Sequence, residues 1–492
     1  MTQDIDWLAV SPPLVLALAA VVVLLVDAFW GTPRSRAAAL VPASLTVGAV
    51  VLAAVPAVRL WGSTRETLCL GARPAAGDPV LCSFGVNELT LVFWGVVLFG
   101  TAVVALIGTV AVAEGRTPLG EWNFLLLCSA SGALTIAASR DLITLVVALE
   151  VVSLPAFAMT GLRRDDPAAA EASVKFFLVS VVSTAVMLMG VSLLYGATGS
   201  VFLGAIDASL TSGGGTHRVA VVGGLLTIVG LAFKVAAVPF HMWVPDTYVG
   251  APVAVAAYLS VVSKAAGLVG LVLVLEGGMS ALRDSWAPVL AVLAALTMTV
   301  GNLQALRQRH AIRLLAWSSV AQAGYILVPL GTGDLGGVSA SMGYLAVYAL
   351  VNLGAFAAAA VVGGRYPAQR LSDYRGLTRE EPGVGWPMAF ALLALAGLPP
   401  GIIGLLAKVV VLDAAAGPVT WLAVVMAVNV AIGVVYYVRW LLVLVQPAEQ
   451  PGASTYDVPN GVAVAIGMTT TAGVLFSVFP GWLLDPVLSV LG

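Results

Sequence analysis

Charge is scarce in this chain: Asp, Glu, Lys and Arg make up only 10% of its 492 residues, while 60% are hydrophobic. A soluble domain carries about one quarter charged residues, so a water-soluble globular class is excluded. Cysteine is rarer still, with three residues and no CxxC or Cys/His cluster, which argues against a metal or iron–sulfur site. There is no basic run of the kind that binds nucleic acid, and the net charge of −2 points to no charged partner. The opening "MTQDIDWLAV" holds acids and no Lys or Arg, so it lacks the cationic start of a cleaved signal peptide. Its apolar run is expected to stay as a membrane span. Apolar/polar alternation is missing as well, and with it the signature of a membrane β-barrel.

What the sequence does have is a succession of apolar runs of about 20 residues, each long enough to cross some 30 Å of hydrocarbon. They predict an all-α polytopic membrane protein with about fourteen spans. These lie at 8–30, 37–60, 86–112, 122–139, 142–161, 168–196, 219–243, 253–275, 286–306, 312–331, 338–362, 385–413, 419–445 and 460–488. The longest polar connection, "GGRYPAQRLSDYRGLTREEPG", is expected to carry a surface helix from Leu371 to Arg379.

Arginine is concentrated in alternate loops. Arg34, Arg36, Arg116, Arg163, Arg164, Arg307, Arg309, Arg313, Arg365, Arg370, Arg375 and Arg379 all follow odd-numbered spans. Even-numbered loops hold fewer, among them Arg65, Arg73, Arg140, Arg218 and Arg283. The positive-inside rule then puts the odd loops in the cytoplasm and both termini outside. Loop 61–85, with Cys69 and Cys82, falls on the outer side, where they are either bridged or two thiols.

The 23 basic residues comprise nineteen arginines, nearly all in loops or at span ends, and four lysines, all inside spans: Lys175, Lys234, Lys264 and Lys408. A chain that uses arginine wherever a surface cation suffices keeps lysine where arginine cannot substitute. Arginine stays protonated at every relevant pH, whereas a desolvated lysine can release its proton near neutrality. Lys175 is close enough to a span start to snorkel to the headgroups. Lys264 is near mid-span, and Lys234 and Lys408 stand beside helix breaks, so a functional role is the default for these three. Glu150, in "DLITLVVALEVVSLPAF", is the one carboxylate deep in a span and needs a cationic partner or a proton. Arg140 and Asp141 are expected to pair with each other. Asp27, Glu88 and Asp413 sit near span ends, where solvent or a subunit interface accounts for them.

Two spans are interrupted by proline: "LAFKVAAVPFHMWVPD" at Pro239 and "LALAGLPPGIIGLLAKVVVL" at Pro399 and Pro400. The breaks are about 160 residues and five spans apart, so the two segments run oppositely through the bilayer. Paired interrupted helices in two halves point to an inverted-repeat transporter.

Along essentially its whole length the sequence resembles the N-subunit family of bacterial complex I, the respiratory NADH:quinone oxidoreductase. It is more distantly similar to the other antiporter-like subunits and the Mrp cation/proton antiporters. The stretches carrying the resemblance are "FKVAAVPFHMWVPDTYVGAPVAVAAYLSVVSKAAG", "EASVKFFLVSVVSTAVMLMG", "RLLAWSSVAQAGYIL" and "LAGLPPGIIGLLAKVVVL". Lys408 also fits that family, and no long lateral helix like that of the L subunit is expected.

The resemblance implies fourteen helices with two inverted five-helix repeats: helices 1–3 in 1–121, the first repeat in 122–275, the second in 286–445, and helix 14 in 446–492. It implies proton translocation through half-channels lined by Glu150, Lys234, Lys264 and Lys408. Glu150 and Lys234 match the ion pair of the first half-channel, Lys264 the connecting lysine and Lys408 the distal one. Lys175 matches an additional helix-six lysine and His241 the family's histidine, both auxiliary. No cofactor is expected in this subunit; NADH, FMN, iron–sulfur clusters and quinone are implied in partner subunits. The implied partners are M-type and K-type membrane neighbours, an L-type subunit further along, and the lipid of a bacterial plasma membrane. The sequence departs from the pattern at Gln322, where "SSxxH" reads "SSVAQ", and at Ile312, where a basic residue is frequent. Glutamine cannot exchange a proton at neutral pH, so the link from Lys264 to Lys408 is expected to need water. His310 is expected to be a solvated loop residue. An Mrp-type antiporter subunit and a structural anchor of a hydrogenase-like complex are the alternatives that the sequence leaves open.

Overall fold

Runs this apolar satisfy their backbone polar groups internally, and in hydrocarbon the helix is the single-segment way to do so. The computed structural model describes residues 5–30, 40–70, 81–110, 117–163, 166–213, 217–447 and 458–491, and it is built almost wholly of helices. Arg34, Arg36, Arg73, Arg116 and Arg164 lie outside the described residues, as do residues 37–39 and 111–112 of the expected second and third spans.

Helices α1 (Trp7–Trp30) and α2 (Val41–Arg59) precede a two-stranded antiparallel hairpin, β1 (Arg65–Cys69) and β2 (Cys82–Val86). Then come α3 (Glu88–Ile107), α4 (Leu119–Ala138), α5 (Leu142–Thr160), α6 (Pro167–Thr198), the short α7 (Leu203–Thr211), α8 (His217–Val235) and α9 (Val244–Gly250). Helix α10 (Val253–Gly278) contains a π-helical turn, Leu259–Ser263, immediately before Lys264. It is followed by α11 (Arg283–Leu306), α12 (Ala311–Leu327), α13 (Leu335–Arg365), the single-turn α14 (Leu377–Glu380), α15 (Pro382–Ala396), α16 (Ile402–Ala416), α17 (Thr420–Val445), α18 (Asn460–Val478) and α19 (Gly481–Leu488).

Among the described residues thirteen helices are long and apolar enough to cross a membrane. The expected span 385–413 is two half-helices, α15 and α16, which together make the fourteenth. The expected last span divides at Phe479 and Pro480 into α18 and α19. The surface helix expected over 371–379 is instead one 3-10 turn, Leu371–Tyr374, and α14. Gly376 separates them at φ +76°, a left-handed conformation that ends a helix and suits glycine.

Helices α10 and α13 run through the middle of the bundle and bury their apolar stretches, whereas α1, α2, α6 and α18 keep most of their surface outward. That outward surface is apolar, as lipid requires: Leu18, Val51, Leu178 and Val182 are all exposed.

Connections alternate between two faces. On one, Asp246 bonds Arg313 at 3.0 Å and lies 3.9 Å from Lys175, and His310 forms a β-bridge with Arg370. On the other, Ser139 bridges Phe84, Asp141 bridges Phe202, and Asp207 accepts from Ser280. His310 is half-buried rather than solvated: its Nδ1 accepts from Arg313 N and caps α12. Burial, and then the Arg313 charge, hold its imidazole below the usual value. The expected Arg140–Asp141 pair also takes another form. Asp141 caps α5 through Thr144 N at 2.8 Å, while Arg140 donates to the carbonyls of Ala137 and Ser139 and to Thr90 Oγ1. A carboxylate that satisfies a helix N-terminus is already committed, and the carbonyls at the end of α4 offer the guanidinium a closer partner.

The hairpin was not foreseen, and Cys69 and Cys82, opposite each other in its register, form a disulfide. Alkylation of the denatured, unreduced protein is therefore expected to modify Cys128 alone, rising to all three cysteines after reduction. Three reactive thiols before reduction would contradict the bridge.

Candidate functional site

The two helix breaks are built alike. At the end of α8, Ala237 N donates to Ala232 O at 2.9 Å and Ala236 N to Phe233 O at 3.1 Å. At the end of α15, Leu398 N donates to Leu393 O at 2.9 Å and Gly397 N to Ala394 O at 3.1 Å. Both are Schellman caps, and each turns on a left-handed residue, Ala236 at φ +68° and Gly397 at φ +82°. The alanine accepts a backbone conformation that costs an L-residue about 1–2 kcal/mol.

The polar groups that each break frees are taken up by neighbouring side chains. Thr297 Oγ1 of α11 accepts from Val238 N at 2.9 Å, and Trp243 Nε1 donates to Phe233 O at 3.1 Å. In the second break Ser477 Oγ of α18 accepts from Ile403 N at 3.3 Å, and Lys408 Nζ donates to Leu395 O at 2.5 Å. Lys408 thus reaches back across the break to the C-terminal end of α15, where the helix dipole favours a cation.

Lys234, in the last turn of α8, is buried. Its Nζ donates to Ser153 Oγ of α5 at 2.6 Å and to Ser180 Oγ of α6 at 2.8 Å, with the rings of Phe157 and Phe233 at 5.6 and 5.4 Å. Glu150, half-buried one turn from Ser153, accepts from Thr184 Oγ1 at 2.7 Å, and Thr184 lies one turn from Ser180. The two ends of the site are therefore framed by the same two helices, each giving one side chain to the carboxylate end and one to the ammonium end. Two glycine contacts allow this convergence. Gly190 and Gly223 let α6 and α8 approach until a Cβ on Gly223 would stand 2.9 Å from Gly190 O. Gly267 leaves room for Lys234, whose Cβ would be 2.7 Å from a methyl there.

Lys264, on α10, is buried and donates to Ser319 O and, at 2.7 Å, to Ser319 Oγ. Tyr348 of α13 donates to the same hydroxyl at 2.9 Å. Next on α12, Gln322 accepts from Tyr344 OH at 2.6 Å and donates to Tyr437 OH at 3.1 Å, and Tyr437 is 2.5 Å from Ser318 Oγ. The Tyr325 ring lies 6.0 Å from that of Tyr344 and 5.9 Å from Lys408 Nζ. Hydroxyl-bearing side chains thus occupy the interval between Lys264 and Lys408.

Among the described residues none of the three buried lysines lies within 4.0 Å of a carboxylate oxygen; all three rest on hydroxyl or carbonyl oxygens. Glu150 and Lys234 thus form no ion pair within 4.0 Å, although Glu150 stays in electrostatic range of the lysine across the serine–threonine frame. Lys175 stands apart from the set: it is exposed on α6 and bonds Glu171 at 2.6 Å. His241 lies in the first break, its ring 5.3 Å from Trp317. Ser153, Ser180, Thr184 and Ser319 were not singled out in the sequence. The one available signal was helical spacing: Ser153 is i+3 from Glu150, Thr184 is i+4 from Ser180, and Ser319 stands three residues before Gln322.

Residues 139–433, which include Glu150, Lys175, Lys234, His241, Lys264, Gln322 and Lys408, match the family described as NADH:quinone oxidoreductase/Mrp antiporter, TM. The chain is 48% identical to NADH-quinone oxidoreductase subunit N 2 of Streptomyces griseus, over 98% of this chain and 93% of the relative. It is also similar to a chain of the Thermus thermophilus respiratory complex I with bound aureothin: 30% identical, TM-score 0.75, covering 98% of this chain and all of that one. A chain of the Mrp complex from Dietzia shares the fold at 21% identity and TM-score 0.82, over 98% and 97% of the two chains. A family match over more than half the chain and near-complete coverage by the Streptomyces relative together place it: this chain belongs to the NADH:quinone oxidoreductase/Mrp antiporter transmembrane family, in its NADH-quinone oxidoreductase subunit N branch.

Proposed function

We propose that this chain translocates protons as a membrane-arm subunit of a respiratory NADH:quinone oxidoreductase, with Glu150, Lys234, Lys264 and Lys408 as the groups that take up and pass protons. One observation carries the assignment of roles: three buried lysine amines, the first sharing a serine–threonine frame with a carboxylate, are each held by neutral oxygens. A proton held by hydroxyl and carbonyl oxygens can move without an ion pair being broken. Charges at the rim, by contrast, are tied in pairs such as Lys175–Glu171 and Arg283–Glu276. The subunit contributes no redox step of its own; NADH, FMN, iron–sulfur clusters and quinone belong to partner subunits. His241 serves beside the first break, and Lys175 remains outside the relay as a charge at the membrane edge.

The matching Schellman breaks support the division into a first repeat at 122–275 and a second at 286–445, with helices 1–3 before them and the final helix after. The cystine in loop 61–85 and the arginine-bearing opposite face support termini that point outward from a bacterial plasma membrane. M-type and K-type neighbours, and an L-type subunit further along, are its partners in the bilayer. The antiporter alternative rests on the breadth of the family and on likeness of fold, and built polar sockets around each buried lysine are superfluous in a passive anchor.

Replacing Glu150 by Gln removes the carboxylate charge while keeping an acceptor for Thr184. The variant complex is expected to assemble and reduce quinone but to lose most coupled pumping in inverted vesicles. An unchanged proton-to-electron ratio would rule Glu150 out of coupling.

Lys408→Arg keeps the charge at the end of α15, so incorporation should persist. Arginine's pKa of about 12.5–13.8 withholds its proton, and pumping should drop by on the order of 10²-fold, the scale of a lost acid–base group. Lys408→Ala should do no better, and Lys175→Arg should be mild. Wild-type pumping by Lys408→Arg would mean that the site needs only charge.

A further inference from the structure

Gln322 is the buried member of the central cluster that cannot ionise, and it stands where the resemblance places a histidine. Both ends of its amide are engaged. The oxygen accepts from Tyr344 of α13, and the NH2 donates to Tyr437 of α17. The Tyr437 oxygen, which accepts from the amide, also lies 2.5 Å from Ser318 Oγ, a contact in which either hydroxyl can donate. Tyr344 and Tyr348 lie one turn apart on α13, and Tyr348 donates to the hydroxyl that holds Lys264. One amide therefore fixes the donor direction of Tyr344 and fills an acceptor position of Tyr437, two tyrosines of the cluster between Lys264 and Lys408.

We propose that Gln322 is a positioning residue that sets the polarity of this hydroxyl cluster, so that the link between Lys264 and Lys408 runs through oriented tyrosine hydroxyls and needs no titrating group at position 322. The inference rests on the proton-relay reading of Lys264 and Lys408. An acceptor facing Tyr344 and a donor facing Tyr437 are both required. Neutral imidazole offers one of each; imidazolium offers two donors and no acceptor. Leucine offers neither and leaves both phenols without their partner. The titratable groups facing position 322 are Tyr344 from α13, Tyr437 from α17 and Tyr325 on its own helix, with Lys264 on α10, Tyr348 on α13, Tyr436 on α17 and Lys408 on α16 beyond them.

The test measures proton translocation against quinone reduction, as a function of pH, in assembled complexes carrying Gln322→Leu, Gln322→His or Tyr437→Phe. Gln322→Leu and Tyr437→Phe should each pump about tenfold less, the scale of one buried hydrogen bond lost, and the double variant no less than either alone. Gln322→His should pump like the wild type at alkaline pH. It should lose pumping as the pH falls through the imidazole range, near about 6.5, a step that the wild type lacks. Wild-type pumping by Gln322→Leu would overturn the inference, as would a Gln322→His variant that gains pumping on acidification or shows no step. If Gln322→Leu fails to assemble, the pH profile of Gln322→His decides alone. Lys408→Arg separates the two levels: pumping there removes the underlying relay, whereas its loss beside a flat Gln322→His profile removes only the role of Gln322.

Discussion

Three lysine side chains buried in an apolar bundle, none of them within 4.0 Å of a carboxylate oxygen among the described residues, set the terms for the rest of this structure. An ion taken from water into such surroundings costs several kcal/mol even after relaxation, and an ion pair is the usual remedy. Here the remedy is a socket of neutral oxygens: two serine hydroxyls for Lys234, the carbonyl and hydroxyl of Ser319 for Lys264, and a helix-end carbonyl for Lys408. Sockets of this kind need backbone or hydroxyl oxygen at mid-bundle, and a regular helix has little to spare.

The breaks supply part of that oxygen. A Schellman cap ends α8 just past Lys234, and another ends α15 opposite Lys408, so each lysine stands where helical hydrogen bonding has been interrupted. Thr297, Trp243 and Ser477 then satisfy the groups left over, which keeps the interruption compatible with a lipid surround. Between the breaks, the central helices α10 and α13 carry Lys264, Tyr344 and Tyr348, while α12 adds Gln322 and Tyr325 and α17 adds Tyr437. The two helices that fill the centre of the bundle thus also carry part of its polar set, and packing and proton transfer there constrain the same side chains.

Much of this was legible in the sequence, for physical reasons. The spans follow from unbroken apolar runs, and the four lysines stood out because arginine takes nearly every other basic position. The prolines marked both breaks. What escaped was whatever depends on a partner distant in sequence. Serine and threonine are common in membrane helices, so Ser153, Ser180 and Ser319 carried no mark until α5, α6 and α12 were packed against the lysines. Glu150 and Lys234 were expected to form an ion pair, but spacing along a helix does not report the distance between helices, and a hydroxyl frame lies between them. Arg140 and Asp141, adjacent in sequence, point to different partners because each closes the end of a different helix. The hairpin at Cys69 and Cys82 was invisible because its strands are short and their connection is long.

The central claim is that Lys234, Lys264 and Lys408 are titrating groups and Lys175 is a fixed charge. With only four lysines in the chain, ¹⁵N labelling of their side-chain nitrogens in this subunit alone, within the assembled complex, yields four resonances that single substitutions assign. Solid-state NMR distinguishes amine from ammonium, in resting complex and under turnover with NADH and quinone. The account predicts that the three buried lysines change protonation between those conditions while Lys175 stays an ammonium. Four ammonium signals, unmoved by turnover, would contradict it.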